Sequence, residues 1–182
     1  FGAFQTIRAA HPDATIDALT LPPYATLFES SGLFDAVHAP PKPKGPTAWL
    51  RLVSTLRRRR YDRVYDLQRN DRTAFLFRAM RLGRPLDWSG VVRGCSHYTP
   101  GLWDSDAHAV EKIAIQMRDA GLPTPARSDL SFLDGAVDEL APPSPFVLMA
   151  PATAPSRPRK RWPADRSAEI ARRLSAQGVA SA

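Results

Sequence analysis

The stretch FVLMAPATAPSRPRKRWPADRSAEIARRLSAQG, residues 146–178, decides the fold predicted for this chain. Its first five residues, Phe146–Ala150, are apolar and predict a short strand of the fully buried kind found in parallel sheets. A basic, proline-rich loop follows, and Pro163 suits the first turn of a helix that ends at Gly178. A strand, a loop and a helix in this order predict the opening of an α/β domain.

The residues before this stretch show the same alternation. Helices are predicted over residues 1–10, 24–32, 47–60, 71–83 and 105–123, and strands over 14–21, 34–39, 61–68 and 85–90. Asp71 and Asp106 are the expected N-caps of the last two helices, and Gly83 and Gly121 their expected ends. The alternation predicts a parallel sheet flanked by helices. A helix comes first, so we expect a first strand before Phe1 and a chain that is part of a longer protein.

Residues 123–145 separate the two regions and contain five of the eighteen prolines. They show little hydrophobic periodicity, which is typical of a linker. We therefore predict a first α/β domain over 1–122, a linker over 123–145, and the start of a second α/β domain over 146–182.

The composition is that of a soluble globular protein with a basic surface. The net charge is +7, and residues 157–173 hold seven basic and two acidic residues. A second basic run, Arg57–Arg60, ends a predicted helix. Such clusters attract phosphates, nucleic acid or anionic membranes, and the charge alone leaves the three open.

Disulfide and metal chemistry are not expected. Cys95 is the only cysteine, which excludes a disulfide within the chain and a cysteine zinc site. We predict that it is a small, partly buried residue rather than a nucleophile. The four histidines are scattered and are expected to be surface or capping residues, so no metal site is predicted.

The segment SRPRKRWPAD, residues 156–165, lies between the predicted strand and its helix. In open α/β sheets, ligands bind beyond the carboxyl ends of the strands, and helix N-termini favour phosphate. Ser156 offers a hydroxyl donor and Lys160 a positive charge, so the two could hold a diphosphate. The alternative is a basic loop that is only solvated. The loop has neither a dinucleotide fingerprint nor a P-loop.

The same segment resembles glycosyltransferase family 9, the ADP-heptose:lipopolysaccharide heptosyltransferases. In that family a strand leads to a small-residue loop, a Ser or Thr, Lys-x-Trp-Pro and a helix ending in Gly, as Lys160-Arg161-Trp162-Pro163 does here. The segments TIRAAHPDATIDALT and YDRVYDLQRNDRTAFLFR are also similar to the family. The resemblance implies the GT-B fold, with two Rossmann-like domains that face each other across a cleft.

The resemblance also implies roles for individual residues. Ser156 and Lys160 would contact the donor diphosphate, and Trp162 and Pro163 would support the loop and the helix start. The family's catalytic aspartate belongs to a Gly-Asp motif before the first helix, so it is expected upstream of Phe1 and no catalytic residue is assigned in this chain. The chain alone is therefore expected to be inactive.

The implied reaction is transfer of heptose from ADP-heptose to the lipopolysaccharide inner core, with inversion, without metal and without a further cofactor. The expected partners are a nucleotide-sugar donor, an anionic lipid-linked saccharide and the membrane surface, and no nucleic acid. The expected location is the cytoplasm, at the inner face of a bacterial inner membrane, and a monomer is expected.

Acceptor binding is predicted for polar residues near strand ends: Arg69, Asn70, Arg72, Arg93 and His97. Arginine forks suit the carboxylates and phosphates of an anionic saccharide, although ordinary surface arginines are the alternative. Three other functions stay open at this point. They are a related glycosyltransferase with another donor, a non-catalytic nucleic-acid-binding module, and a Rossmann oxidoreductase, which would need a glycine-rich turn that this sequence lacks.

Overall fold

The computed structural model describes residues 1–68, 70–102, 105–135, 145–150, 153 and 158–181. It divides into two compact units, residues 1–133 and 134–182.

Unit 1 alternates helices and strands. The helices are α1 (Gly2–Ala10), α2 (Ala25–Ser30), α3 (Gly45–Arg59), α4 (Asp71–Met80) and α5 (Ala109–Asp119), with 3₁₀ turns at Pro22–Tyr24 and Ser131–Leu133. The strands are β1 (Asp17–Leu19), β2 (Ala36–His38), β3 (Arg63–Tyr65), β4 (Asp87–Gly90) and β5 (His97–Tyr98). The predicted helices and the four predicted strands are present, with shorter strands, and β5 lies where a loop was expected.

All strand pairs of unit 1 are parallel. β1 pairs with β2, and β4 lies between β3 and β5. The register aligns Val64 of β3 with Trp88 of β4. Within the described residues the two sheets share no backbone ladder. The predicted α/β class with parallel strands is confirmed.

Two hydrophobic clusters cover the β3–β4–β5 sheet. Val64 packs against the first cluster, whose buried members are Leu56, Leu76, Phe77, Met80, Trp88, Val92 and Cys95. Tyr65 packs against the second, whose buried members are Ala3, Ile7, Met117 and Leu122. Successive strand residues point to opposite faces, so α3 and α4 cover one face of the sheet, and α1 and α5 the other.

A buried glutamine connects α5 to this sheet. Gln116 is fully buried, and its Nε2 donates to the carbonyl oxygens of Asp66 at 3.0 Å and Ser89 at 3.1 Å. Asp66 directly follows β3 and Ser89 lies on the neighbouring β4, and the Asp66 N–H itself donates to the Ser89 carbonyl at 2.8 Å. These hydrogen bonds, together with the packing, therefore fix the position of α5 on the sheet.

Two predicted helix caps are wrong. Asn70, not Asp71, caps α4, because its side chain accepts from the N–H groups of Arg72 and Thr73 in a capping box. His108, not Asp106, caps α5, because its Nδ1 accepts from the Val110 N–H at 3.3 Å. In both cases the residue that forms the cap is the one directly before the first helical residue.

The first part of the predicted linker packs on α1. The Gly2 N–H donates to Ser128 Oγ at 2.8 Å, and Gln5 Nε2 donates to the Asp129 carbonyl at 2.8 Å. The rings of Phe1 and Phe132 lie 5.1 Å apart. These residues therefore belong to unit 1.

Unit 2 consists of β6 (Phe146–Val147), a 3₁₀ turn (Pro158–Lys160), α6 (Ala164–Ala176) and β7 (Ala180–Ser181), with β6 and β7 parallel. The prediction of a fully buried strand at 146–150 is wrong. The strand has two residues, and Phe146, Val147 and Leu148 are 43%, 39% and 76% exposed. The reason is that β6 pairs only with β7 among the described residues, so much of its apolar surface has nothing to pack against.

Across the described parts of both units, no helix is long and apolar enough to cross a membrane.

Candidate donor-binding site

The candidate donor site is the connection from β6 to α6. Lys160 ends the 3₁₀ turn Pro158–Lys160, four residues before the first residue of α6, and is exposed. The Arg161 N–H closes this turn by donating to the Pro158 carbonyl at 3.0 Å. Ser156, the other predicted phosphate contact, lies outside the described residues.

The N-terminus of α6 presents backbone N–H groups without a side-chain cap. Pro163 occupies the N-cap position with φ −57° and ψ 138°, and a proline side chain cannot accept a hydrogen bond. The first N–H groups of a helix have no carbonyl partner within it and carry partial positive charge. They therefore suit a phosphate, although Asp165 adds one negative charge in the same turn.

The basic residues that the structure describes in this region fall into two groups. Four of them, Arg159, Lys160, Arg161 and Arg166, form no ion pair with any residue that the structure describes. Arg172 and Arg173, by contrast, pair with Glu169 at 3.0 Å and 2.7 Å. The uncompensated positive charge therefore lies just before α6 and in its first turn.

Pro163 also anchors the start of the helix. Its carbonyl accepts from the Ser167 N–H at 3.2 Å and from Ser167 Oγ at 3.3 Å. Ser167 is the only buried residue among the described residues of unit 2. Trp162 is 51% exposed. Its side chain therefore packs only in part against the protein, and its role in supporting the loop stays a prediction.

Two of the predicted acceptor residues lie together at the N-terminus of α4. Asn70 is used as the cap of that helix, with Oδ1 accepting from the N–H groups of Arg72 at 3.0 Å and Thr73 at 3.2 Å. Its Nδ2 donates to Gln68 Oε1 at 3.3 Å. Arg72 lies in the first turn, half-buried, and Arg69 lies outside the described residues. This end of the helix follows the carboxyl end of β3.

The other two predicted acceptor residues lie at the opposite edge of the sheet. The loop that contains Arg93 returns to the C-terminus of α4, where Arg81 Nη1 donates to the Gly94 carbonyl at 2.8 Å. His97 Nε2 lies 3.1 Å from Oδ1 of Asp87, the first residue of β4. The length of the ten-residue helix α4, about 15 Å, therefore separates these residues from Asn70. The four candidates that the structure describes do not form one site.

The His97–Asp87 pair belongs to a polar cluster at this edge. Arg63 Nη2 lies 2.6 Å from Asp87 Oδ2, and His97 Nδ1 lies 2.9 Å from the Asp119 carbonyl. Burial raises the pKa of Asp87, but hydrogen bonds from Ser96 and Arg63 outweigh it, so the pKa of this carboxyl is below its ordinary value. These contacts tie strands and helices together.

A second polar cluster surrounds Asp17, whose side chain is 4% exposed. Its Oδ2 accepts from the Tyr61 hydroxyl at 2.7 Å, lies 3.0 Å from His38 Nε2 and 3.7 Å from Arg59 Nε. Burial raises the pKa of Asp17, and the Tyr61 and His38 contacts lower it further than burial raises it. The same burial, with the hydrogen bond to Asp17, raises the pKa of Tyr61.

Sequence reasoning missed both clusters. His38 and His97 were expected at the surface or at caps, and instead each lies beside a carboxylate, at 3.0 Å and 3.1 Å. The partners are distant in sequence and meet only through strand register. Asp17 and Asp87 both begin a strand, at the edge opposite to the one where ligands bind in such sheets, so we assign them to the scaffold.

Cys95 is buried, more completely than the partly buried residue that was predicted. Its Sγ lies 3.6 Å from the Gly90 carbonyl and 3.5 Å from the His97 carbonyl. Burial raises the pKa of the thiol, which disfavours the reactive thiolate. No group of three or more His, Cys, Asp or Glu side chains suited to a metal ion occurs in the described part of the chain.

Comparisons with known proteins bear on this arrangement. The model of glycosyltransferase family 9 (heptosyltransferase) matches residues 49–181. Among solved structures, that of E. coli ADP-heptose lps heptosyltransferase II is similar, with a TM-score of 0.64 and 22% sequence identity. The match covers 99% of this chain and 58% of that chain, so this chain spans little more than half the length of the enzyme it resembles. The comparison with curated proteins found no match. The predicted α/β fold of GT-B type is confirmed by the structural match.

Proposed function

This chain belongs to glycosyltransferase family 9, and we propose that it takes part in transferring heptose from ADP-heptose to the lipopolysaccharide inner core, with inversion. Its own part is to hold the donor diphosphate. Lys160 and the N-terminus of α6 bind the phosphates, and Ser156 adds a hydroxyl donor.

One observation carries this proposal. Among the described residues of unit 2, the basic residues that form no ion pair are concentrated where an α-helix of thirteen residues begins without a side-chain cap. A diphosphate placed there would meet helix N–H groups and a flexible cationic side chain together, and the two act in the same direction. The strand, loop and helix that form this place lie within residues 49–181, the part that the family model covers.

The chemistry follows from inversion. An acceptor hydroxyl attacks the anomeric carbon from the side opposite to ADP, the new C–O bond forms, and the bond to the diphosphate oxygen breaks. The hydroxyl proton passes to a carboxylate base, and negative charge develops on the departing diphosphate. Lys160 and the first turn of α6 would stabilise that charge without a metal ion. We assign the base to no residue of this chain.

For the acceptor, we propose the N-terminal end of α4. Arg72 lies there beside the capped helix start, and Arg69 directly precedes the cap, so both suit anionic groups on the saccharide. Arg93 and His97 are less suited, because they lie at the other end of α4. We further propose that the protein acts as a monomer in the cytoplasm, at the inner face of the bacterial inner membrane, where a lipid-linked acceptor is available.

The test is ADP binding to the 182-residue chain, measured by isothermal titration calorimetry. Replacing Lys160 by Ala should weaken binding about tenfold or more, since a hydrogen bond to a charged group contributes roughly 1.5–3 kcal/mol. Arg173→Ala is the control, because it removes a cation from the last turn of α6 that Glu169 already pairs. Equal affinity of the Lys160 variant and the wild type would contradict the proposed diphosphate site.

A second candidate is a glycosyltransferase of the same fold with another nucleotide-sugar donor. The described loop offers contacts to phosphates and none that select a base, which leaves that alternative open. Titration with ADP, UDP and GDP tests it, because tighter binding of UDP or GDP than of ADP would withdraw ADP-heptose and keep the diphosphate site, whereas similar affinities would mean that this chain recognises the diphosphate alone. Binding of random duplex DNA in preference to all three nucleotides would instead favour the nucleic-acid-binding alternative.

A further inference from the structure

The positive charge of this chain is concentrated in one segment of unit 1. Residues 42–84 contain thirteen basic and three acidic residues, whereas the rest of the chain contains twelve basic and fifteen acidic residues. The segment therefore carries a net charge of +10 in a chain whose total is +7. It includes α3 and α4, and α3 contains no acidic residue.

The two helices lie side by side and present one outer surface. The rings of Trp49 on α3 and Phe75 on α4 meet edge to face at 4.7 Å. Nearer the C-terminal ends, Arg57 Nη1 donates to the Ala79 carbonyl at 2.8 Å. Because their inner sides pack in the first hydrophobic cluster with the sheet, their outer sides face away from the protein core.

Large apolar side chains protrude from this outer surface. Leu50 is 70% exposed, Leu82 is 72% exposed and Phe75 is 45% exposed. Phe75 and Arg78 follow at helical spacing on one stripe of α4, and Leu82 lies two residues beyond the last residue of that helix. On α3, Leu50 lies two turns from Arg58, and both line the same shallow depression.

Arginines surround these apolar side chains. Arg51, Arg58 and Arg78 are exposed and form no ion pair with another described residue. We name as the basic face the six residues that protrude from this surface: Leu50, Arg51, Arg58, Phe75, Arg78 and Leu82. It combines apolar side chains that water does not favour with cations that have no protein partner.

We propose that the basic face binds an anionic membrane surface. The arginines pair with lipid phosphates, and Leu50, Phe75 and Leu82 enter the headgroup layer, as in amphipathic helices that lie on membranes. A nucleic acid would fit the charge but not the two exposed leucines, because single-stranded binding uses aromatic stacking platforms and duplex binding uses polar contacts. The inference rests on the proposed function in one respect, namely that the acceptor of that reaction is lipid-linked.

The experiment is co-sedimentation of the full 182-residue chain with vesicles. Phosphatidylglycerol mixed with phosphatidylcholine should bind the chain, and phosphatidylcholine alone should not. The double variant Arg51→Glu/Arg58→Glu should bind the anionic vesicles at least tenfold more weakly, because each cation near such a surface contributes about fivefold to the affinity. Circular dichroism of each variant confirms that it is folded.

Two further double variants test the basic face. One tests whether the effect depends on the position of the arginines rather than on net charge, and the other tests whether the apolar side chains contribute. Arg172→Glu/Arg173→Glu makes the same change in charge in unit 2, where both arginines are exposed, and should leave vesicle binding within about twofold of the wild type. Leu50→Ser/Leu82→Ser retains every charge and should lose the part of the binding that survives high salt. Equal losses in the two arginine variants, or no loss in the leucine variant, would overturn the proposal.

The remaining outcomes distinguish other partners and the proposed function. Binding of random duplex DNA that is stronger than vesicle binding and is lost in the Arg51→Glu/Arg58→Glu variant would assign the basic face to nucleic acid. ADP binding, measured on the same samples, should be unchanged in the Arg51→Glu/Arg58→Glu and Leu50→Ser/Leu82→Ser variants. A wild-type chain that binds vesicles but not ADP keeps the basic face and contradicts the donor site, and one that binds ADP but not anionic vesicles overturns the basic face alone.

Discussion

Units 1 and 2 use the same strand-and-helix alternation and differ in what they bury. In unit 1, helices cover the β3–β4–β5 sheet on both faces, and Phe77, Trp88 and Met117 are 2% exposed or less. In unit 2, β6 pairs only with β7 among the described residues, and its Phe146 is 43% exposed. The alternation thus determines which elements form, whereas burial depends on how many neighbouring elements cover each strand. Unit 1 is a sheet covered by helices, whereas the described part of unit 2 is a pair of short strands with one helix.

The largest test of this contrast replaces the same residue type in both units. Phe77→Ala should lower the free energy of unfolding by about 3–5 kcal/mol, because it leaves a cavity beside Trp88, whose ring lies 5.4 Å away. Phe146→Ala should cost less than about 1 kcal/mol, since this ring is already half in water. Urea unfolding followed by circular dichroism measures both. Equal costs would show that β6 is buried in solution and would remove the contrast.

Buried polar groups provide the next test, because unit 1 contains several of them and the described part of unit 2 only Ser167. Asp17→Asn should cost about 2 kcal/mol at neutral pH, since hydrogen bonds to a charged group contribute roughly 1.5–3 kcal/mol each and the amide replaces them incompletely. Asp13→Asn, in an exposed turn, is the control and should change stability little.

The pH dependence of the Asp17 variant follows from the lowered pKa of this carboxyl. A depressed pKa means that the stabilisation is complete above the ordinary pKa of 3.8 and is lost as the pH falls through the lower, folded-state pKa. The difference between wild type and Asp17→Asn should therefore be constant from pH 7 to about pH 5 and should shrink in acid. A difference that grows in acid would contradict the assignment of a charged Asp17.

Most of the fold could be predicted from the sequence, and most of the side-chain contacts could not. Alternating strand and helix patterns with Pro and Gly boundaries were sufficient for the α/β class, because these signals act over a few residues. The pairs His38–Asp17 and His97–Asp87 depend on which strands become neighbours, which no local pattern encodes. Gln116 looks like an ordinary helix residue until α5 is placed on the sheet. The exposure of β6 depends on the number of strands beside it.

The candidate site shows the same division. The position of Lys160 between a strand and a helix could be predicted, whereas its role in binding phosphate stays a prediction. The uncapped start of α6 could be anticipated only in part, because Pro163 was expected inside the first turn and instead occupies the N-cap position. The acceptor candidates were chosen by nearness to strand ends in sequence. The short return loop after β4 brings Arg93 and His97 to the other edge, which only the structure reveals.

The helix starts offer a third comparison, since α4 has a side-chain cap and α6 has none. Asn70→Ala should lower the free energy of unfolding by about 1 kcal/mol, the usual effect of removing a cap. Asn70→Asp should retain the stability, because a carboxylate also accepts from N–H groups and suits the positive end of the helix dipole. Thermal unfolding measures both variants. An Ala variant as stable as the wild type would free Asn70 for the acceptor role instead.

The smallest effect is expected from the ion pairs of unit 2. Glu169→Gln removes the contacts to Arg172 and Arg173, whose side chains are 73% and 76% exposed. Exposed helix pairs contribute only a few tenths of a kcal/mol and are screened by salt, so the variant should unfold almost as the wild type does and the difference should vanish in high salt. Glu29→Gln, on an exposed position of α2, controls for the loss of one negative charge. A decrease of more than about 1 kcal/mol in the free energy of unfolding of this variant would mean that the stability of α6 depends on its surface ion pairs.

The Glu169→Gln variant also leaves two more cations unpaired on α6. It should therefore bind ADP slightly more strongly at low salt if the diphosphate lies at the start of that helix.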